Sequence, residues 1–310
     1  MDGERFNPDE LAAQALAGGG PRGGGGIRDF MPEQHREFFA QLTYLFVGAV
    51  DAAGWPLATL LTGRPGFVQS PDPVTLHIAT PPDAADPAAE ALVPGREIGL
   101  LGIDFSTRRR NRANGRIVGR DADGINIAVS QSFGNCPQYI QKRVATAPED
   151  DPAEGGSNPV ESFTGLDGAA RVAIERADTL FVASRSRSGD GAAYGADISH
   201  RGGRPGFVRV DGDVLTIPDF RGNRYFNTLG NLIVEPRASL LIADFETGDL
   251  LQLQGRAEVD WNAAEAARFT GAERLWRFYV VRGWRRRAAT PQRWSFVEYS
   301  PTTVHTGLWQ

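Results

Sequence analysis

A six-residue run, GRPGFV, occurs twice in this chain, at residues 63–68 and again at 203–208. The two copies are 140 positions apart, since 204 − 64 = 140 for their arginines. The same offset, without a gap, pairs LLGIDF at 100–105 with LLIADF at 240–245 and GR at 115–116 with GR at 255–256. A single offset that holds over this span indicates that one folding unit is present twice.

Each unit begins with a short amphipathic helical pattern and continues as short apolar runs separated by turn residues. Short strands at even spacing favour a closed or nearly closed antiparallel barrel. A chain of 310 residues is long enough for two cores. We therefore predict a mainly β fold with flanking helices (α+β), in which two tandem split β-barrels form an intrachain pseudo-dimer.

Composition predicts the boundaries of these units. Residues 1–31 include GGGPRGGGG at 18–26 and are expected to form a flexible leader, because glycine is costly to order. The first split barrel is predicted over 32–145 and the second over 169–310. Residues 146–168 are rich in Pro, Gly, Ser and acidic residues and are interpreted as a linker.

Several classes of function are excluded by residue counts. Cys136 is the single cysteine, which rules out an internal disulfide and an all-cysteine metal cluster and favours a reducing, cytoplasmic location. We interpret Cys136 as buried structure. Lys142 is the single lysine, and neither a phosphate-binding loop nor a suitable turn for a pyridoxal phosphate site surrounds it. The four histidines lack metal-ligand spacing, so no metal site is expected.

The net charge and the hydropathy pattern bear on partners. The chain carries a net charge of −5, has an acidic N-terminus, and contains no run of 18 apolar residues. We therefore expect no signal peptide, no membrane association and no nucleic acid partner. The basic runs RRRNR at 108–112 and WRRRA at 284–288 are interpreted as solvated faces, with cofactor or partner contacts as the alternative.

The two halves differ in kind at a set of polar positions. At the 140 offset, polar residues of the second half correspond to apolar, small or acidic residues of the first half, except that Ser199 corresponds to Thr59. The polar residues fall in SHRGG, which ends a strand, and in RGNRYFNTLGN, which enters a helix. They are Ser199, His200, Arg201, Arg221, Asn223, Arg224, Asn227, Thr228 and Asn231.

Three arginines beside a helix start are suited to an anion, because the first amides of a helix lack partners and arginine donates several hydrogen bonds at once. We therefore predict a phosphate site around Arg201, Arg221 and Arg224, completed by Ser199, Asn223 and Thr228. Two simpler interpretations stay open. Asn227 and Thr228 also suit helix caps, and His200 also suits a hydrogen-bonded structural role.

The second half resembles the pyridoxamine 5′-phosphate oxidase-like family of FMN-binding split barrels, in the branch that is sometimes fused to a ferredoxin-reductase module. SHRGG with RGNRYFNTLGN carries most of the resemblance, and FFAQLTYLFVGAV and SFGNCPQYIQKR extend it to the first half. The resemblance implies FMN as cofactor, with its phosphate at the cluster named above. It also implies that the first half supplies a wall of the flavin site, through Asn135, Gln138 and Tyr139 or through Trp294. Core packing is the alternative for Tyr139 and Trp294.

The predicted function is an FMN-dependent oxidoreductase that transfers a hydride or electrons through flavin N5 to or from an unidentified small molecule. A free nicotinamide cofactor, a separate reductase or the substrate itself is the expected electron donor, because the chain lacks the cysteine-ligated cluster of the fused branch. FAD, a deazaflavin or haem stay open as ligands, with His200 or His305 as a haem ligand. The alternatives are a non-catalytic flavin- or haem-binding module and an interaction scaffold. A homodimer is a further expectation.

Overall fold

The computed structural model describes residues 5–20, 26–146 and 159–309 of the chain. The helices are α1 (Pro8–Leu16), α2 (Glu33–Gln41), α3 (Gly168–Arg176), α4 (Asn227–Val234), α5 (Ala263–Ala266) and α6 (Pro301–Val304). The strands of the first half are β1 (Tyr44–Val50), β2 (Pro56–Thr62), β3 (Val68–Asp72), β4 (Thr75–Ile78), β5 (Glu97–Asp104), β6 (Arg109–Arg120), β7 (Ile125–Asn135) and β8 (Lys142–Thr146). The remaining strands are β9 (Glu161–Thr164), β10 (Thr179–Arg185), β11 (Ala196–Gly202), β12 (Arg209–Asp211), β13 (Val214–Phe220), β14 (Arg237–Ala243), β15 (Leu250–Asp260), β16 (Ala272–Arg286) and β17 (Arg293–Glu298).

The fold is mainly β, as predicted, and its two large sheets are antiparallel. The first sheet has the order β2-β1-β5-β6-β7-β4-β3, and the second has the order β11-β10-β14-β15-β16-β13-β12. The two orders are the same when β1 is matched with β10, β2 with β11, and so on. Neither sheet closes on itself among the described strands, so the strand pairing does not confirm two barrels.

In the described part of the chain, apolar side chains form three large clusters of buried residues and a small one of Phe6, Ile27 and Phe133. One cluster lies within the first half, one within the second, and a third draws on both. In the shared cluster the rings of Phe46 and Phe181 stack with centroids 3.6 Å apart. Gly48 and Gly99 have no Cβ, which lets β1 and β5 approach β11 of the other half; a Cβ on Gly99 would lie 2.8 Å from the Asp197 Cα. The halves are therefore joined by a packed apolar core, and buried polar contacts such as the Arg112–Asp197 ion pair add to it.

Residues predicted to be a flexible leader are instead partly helical. Helix α1 begins at a capping box, in which Asn7 accepts from the amides of Asp9 and Glu10 while Glu10 accepts from the amide of Asn7. Asp9, Glu10 and Ala13 are buried against the second half. The prediction of residues 1–31 as a leader therefore fails for α1, because the cap and the packing compensate for ordering this helix.

The linker predicted over 146–168 also differs in part. Residues 161–164 form β9, which pairs with β16, and Asp167 caps the start of α3. Most of the linker, residues 147–158, lies outside the described part of the chain. No helix within the described ranges is long and apolar enough to cross a membrane.

Candidate functional site

Strand β11 carries three polar residues on one face. Side chains alternate across a strand, so Asp197, Ser199 and Arg201 point to the same side. Asp197 and Ser199 are buried, and Arg201 is half-buried. On the opposite face, the ring of His200 packs edge-on against the ring of Phe181 at 5.7 Å between centroids. The end of β11 therefore presents carboxylate, hydroxyl and guanidinium groups in a row.

A tight loop leads from β13 into α4 and brings the helix start to this row. Arg224 and Phe226 have left-handed backbone conformations, with φ of 63° and 62°. Phe226 is the N-cap of α4 and makes no side-chain cap bond, so the first amides of α4 receive no capping acceptor. Thr228, in the first turn, donates from Oγ1 to Ser199 Oγ at 2.7 Å. The start of α4 and the end of β11 therefore meet at one point.

Arg112 enters this point from β6 of the first half. Its guanidinium is 5% exposed, forms an ion pair with Asp197 at 2.7 Å, and donates to Ser199 Oγ through the other terminal nitrogen. It also lies 3.4 Å from Asn227 Oδ1. In the sequence Arg112 stands out only as part of the basic run RRRNR; its counterpart at the 140 offset, Gln252, is also polar, so the comparison of the halves does not single it out.

These groups line a cavity of about 70 Å³ with a surplus of positive charge. Its lining includes four arginines and two acidic residues, which are Arg112, Arg201, Arg224, Arg274, Asp219 and Glu273. Asp219 pairs with Arg274 at 2.6 Å and with Arg201 at 3.7 Å, and Glu273 pairs with Arg274 at 3.0 Å. The Nε atoms of Arg112, Arg201 and Arg224 are buried without an acceptor. An anion in this cavity would supply the missing negative charge.

A second compartment of about 80 Å³ adjoins the first and shares with it Arg112, Arg201, Asp219, Phe220, Gly222 and Asn223. The first half contributes Asn135, Gln138 and Tyr139 to its lining, as the family resemblance implied. The ring of Tyr139 stacks on the ring of Phe220 at 4.9 Å. The two compartments thus form one groove between the halves of the chain.

The second compartment is also electropositive. Burial, followed by the nearby guanidinium of Arg112, lowers the pKa of Arg110 to about 9. Burial lowers the pKa of His200 well below its ordinary value, and Arg110 and Arg201 lower it further, so His200 is neutral at neutral pH. His200 is 3% exposed, and its Nε2 has no partner. Negative charge beside Arg110 would relieve these repulsions.

Helix α1 covers the back of the site. Glu10 lies beneath the first turn of α4, where its Oε1 accepts from Asn227 Nδ2 at 2.5 Å. Burial raises the pKa of Glu10 to about 8, against the lowering effect of the bonds from Asn7 and Asn227. The carbonyl of Ala17, just after α1, accepts from Arg224. Residues that the sequence assigned to a leader therefore hold two members of the predicted cluster.

The corresponding place in the first half is filled by the protein's own carboxylate. Thr59 is the counterpart of Ser199, since 199 − 59 = 140, and its hydroxyl donates to Asp86. Gln252, the counterpart of Arg112, donates to Asp86 Oδ1 at 3.1 Å. Arg286 pairs with Asp86 at 2.8 Å and with Asp83 at 2.6 Å. The Asp86 carboxylate therefore occupies, in the first half, the position at which the second half has a cavity suited to an external anion.

Eight of the nine polar residues, all except Asn231, are predicted to bind the cofactor; the structure brings seven of these eight together and separates one. Six of them line the first compartment: Ser199, Arg201, Asn223, Arg224, Asn227 and Thr228. His200 lines the second. Arg221 is exposed and lines neither compartment. Trp294 is also absent from both and packs instead in the core shared by the halves, which was the alternative interpretation of this residue.

The structure also corrects the interpretation of both basic runs and of Cys136. Within RRRNR, Arg110 and Arg112 line the groove rather than a solvated face. In WRRRA, Arg286 is buried. Cys136, interpreted as buried, is only half-buried, and its carbonyl accepts from Arg110 Nε at 2.8 Å. Across residues 5–20, 26–146 and 159–309, no three His, Cys, Asp or Glu side chains come together as a metal site would need.

Comparison with known proteins matched no family model and no curated protein. Several solved structures align with parts of the chain. They include a HupZ variant of group A Streptococcus, with a TM-score of 0.30 and 12% identity over 38% of this chain and 98% of that one. A candidate pyridoxamine 5′-phosphate oxidase of Lactobacillus delbrueckii aligns with a TM-score of 0.27 and 16% identity over 34% of this chain and 95% of that one. An FAD-binding protein of Mesorhizobium loti aligns with a TM-score of 0.26 and 12% identity over 41% of this chain and 97% of that one. These values assign no family, so the argument that follows uses the chain's own geometry.

Proposed function

We propose that the chain is an FMN-dependent oxidoreductase of the split-barrel type, with one flavin site in the groove between its halves. The observation that carries this proposal is the surplus of arginine in the first compartment, set against Asp86 in the corresponding place of the first half. A mononucleotide offers a dianionic phosphate at one end and a planar ring at the other. The groove has an electropositive compartment joined to one that carries an aromatic pair.

The residues present fit this cofactor. Ser199, Thr228 and the first amides of α4 would donate to phosphate oxygens, and Arg201 and Arg224 would balance their charge. The buried Nε atoms without acceptors, in Arg201 and Arg224 among others, are donors that such an anion would satisfy. The ring would then lie toward Tyr139 and His200 in the second compartment.

When bound, a flavin supplies hydride and electron transfer at N5. The chain's own residues bind and orient it and set the charge around it. Neutral His200 offers a hydrogen-bonding nitrogen that no protein group uses, and Arg110 and Arg112 favour negative charge on the ring or on a substrate beside it. The substrate is proposed to be a small molecule, with a nicotinamide cofactor or a separate reductase as the electron donor.

The unpartnered Nε2 of His200 also supports a second candidate, a non-catalytic haem-binding module. The absorbance spectrum of the purified protein after incubation with each cofactor separates the two candidates. Flavin bands that stay with the protein once free cofactor has been removed support the first candidate, and a Soret band that stays with it supports the second.

The test of the phosphate site compares FMN with riboflavin, which lacks the phosphate. Arg201→Ala and Arg224→Ala should each weaken FMN binding roughly 10- to 100-fold, since a charge-assisted hydrogen bond contributes about 1.5–3 kcal/mol. Riboflavin affinity should change much less. Arg221→Ala is the matched control, because this arginine lies in the same loop but outside the cavity. Equal losses for both ligands would contradict the assignment.

A further inference from the structure

A large cavity lies away from the flavin groove and has no role in the proposed function. It measures about 510 Å³, within the usual range of ligand pockets, and lies between α3 and the β14–β15 hairpin. Strand β17 and the end of β16 contribute to its lining. The apolar part of the lining includes Val172, Ala173, Ala177, Ile242 and Leu251.

Matching hydrogen bonds show which residues of the first half correspond to this helix. Gly66 N donates to Ala40 O, and Gly206 N donates to Glu175 O, both at 2.8 Å. The helices therefore correspond at an offset of 135, since 175 − 40 = 135. Applied to α2, that offset matches Phe38 with Ala173 and Leu42 with Ala177, since 38 + 135 = 173 and 42 + 135 = 177.

The helix and the strand that bound this cavity differ between the halves in opposite directions. In the first half Phe38 and Leu42 are buried, and a Cβ on Gly102 of β5 would lie within 3.0 Å of both side chains. Arg109 covers Phe38, with its guanidinium 4.6 Å from the ring centroid. In the second half the helix carries Ala173 and Ala177, the strand carries Ile242 in place of Gly102, and Asp249 takes the place of Arg109. The small side chains of the helix leave room beside Ile242, and this room is part of the cavity.

A buried guanidinium at this cavity has an unused donor. Arg143 is 5% exposed, and its Nη2 donates to both carboxylate oxygens of Asp178 at 2.6 Å. Its guanidinium lies 4.0 Å from the ring centroid of Phe245. Nη1 of Arg143 is buried with no acceptor. A buried donor without a partner is rare and is expected to be satisfied by a ligand or water.

The charge of the lining indicates the kind of acceptor. Four arginines and four acidic residues line the cavity, so that their formal charges balance; they are Arg143, Arg176, Arg285, Arg287, Asp178, Asp244, Glu246 and Asp249. A ligand with a net charge would gain little from such a set. An uncharged oxygen acceptor satisfies Nη1 and leaves the balance unchanged.

From these observations we infer that this cavity binds a second small molecule, an uncharged and largely apolar compound that carries a carbonyl oxygen. Its apolar body occupies the space beside Ala173 and Ala177, and its carbonyl accepts a hydrogen bond from Arg143 Nη1. The site is independent of the flavin groove.

The experiment uses benzophenone, with diphenylmethane as the probe of similar shape that lacks the carbonyl, and 4-benzoylbenzoate as the charged analogue. Binding to the full-length protein is measured by equilibrium dialysis. We expect saturable binding of one benzophenone per chain, roughly tenfold tighter than that of diphenylmethane because of one hydrogen bond to a charged donor. The carboxylate of 4-benzoylbenzoate should bring no gain.

Two variants locate the site. The triple variant Ala173→Phe, Ala177→Leu and Ile242→Gly copies the first half's arrangement and should abolish benzophenone binding, while FMN affinity stays within about twofold. Ala177→Leu alone is the milder variant and should weaken binding; it keeps the test available if the triple variant does not fold. Photolabelling of the unmodified protein by benzophenone gives a readout without any substitution, and the label should fall on α3 or the β14–β15 hairpin.

Any of three results would overturn the inference. They are equal affinity for benzophenone and diphenylmethane, undiminished benzophenone binding by a folded variant that carries the larger side chains, or photolabels that fall outside this cavity. Failure of FMN to bind would refute the proposed function and leave this site untouched, because the two measurements use different ligands and different residues.

Discussion

At the scale of single residues, Arg286 compensates the carboxylates that occupy the first half's counterpart of the phosphate site. It forms ion pairs with Asp86 and Asp83 and is 5% exposed. Removal of one partner from a buried pair leaves the other charge uncompensated, which costs about 3–5 kcal/mol. We therefore expect Arg286→Ala to lower the free energy of unfolding by that amount in urea denaturation.

The neighbouring residue Arg287 provides the matched control for this prediction. Its side chain is 58% exposed, so Arg287→Ala should change the free energy of unfolding by no more than about 0.5 kcal/mol. Similar losses from both substitutions would show that Asp86 is not held by Arg286 in the way described.

The stability of the protein should depend on pH through Glu10. Because burial raises its pKa to about 8, above its ordinary value of 4.5, the folded protein binds a proton that the unfolded chain releases between these values. Its contribution to stability is fully present below pH 4.5 and is lost as the pH rises to about 8. Glu10→Gln keeps the shape and the capping ability without the charge.

The measurement is the melting temperature of both proteins from pH 5 to pH 9. The melting temperature of the Glu10→Gln protein should fall less with rising pH than that of the unmodified protein, and it should be the higher of the two at pH 9. Parallel curves would mean that Glu10 is ionised in the folded protein. Asp197 and Arg112 lie near Glu10 and are present in both proteins, so the comparison isolates the effect of Glu10.

At the scale of elements, the packing of α1 on α4 depends on Gly230. A Cβ at this position would lie 2.7 Å from the Glu10 Cα, a backbone atom that cannot move without the helix. Helix propensity alone would favour alanine over glycine by about 1 kcal/mol. We expect the opposite result, a loss of about 1–3 kcal/mol in Gly230→Ala from overpacking.

Gly168→Ala is the control for this substitution. Gly168 begins α3, and a Cβ there would meet no atom within 4 Å, so the variant should be neutral or slightly more stable. Chemical denaturation of both variants makes the comparison. A stabilised Gly230→Ala protein would show that α1 does not pack on α4 in solution.

The elements also show what could be predicted from the sequence. The 140 offset located β11 and the loop into α4, because the residues that changed in kind lie close together along the chain. Arg112 escaped the same comparison because it reaches the site from the other half, and no local pattern connects it with Ser199. Alternation along β6 puts Arg110 and Arg112 on one face, but the sequence does not say whether that face is covered.

Helix α1 escaped prediction for a different reason. The glycine-rich run beginning at residue 18 dominates the composition of the N-terminus and obscures the helix signal that precedes it. Yet NPDE at 7–10 carries a capping residue, a proline at the first helical position and a glutamate at the third, which together are a helix start signal. The partner of this helix, the surface of α4 at Gly230, could not be predicted without the fold.

At the scale of the whole molecule, the two halves have the same strand order and different chemistry. The flavin groove is built from both, since β6 of the first half supplies Arg110 and Arg112 to a site centred on the second. The corresponding place in the first half is occupied by Asp86. One chain should therefore form one complete site.

Equilibrium dialysis of the full-length protein against FMN tests this claim most directly. The account predicts saturation at one FMN per chain, with riboflavin bound more weakly because it lacks the phosphate that the arginines hold. Saturation at two per chain, or equal affinity for FMN and riboflavin, would contradict it.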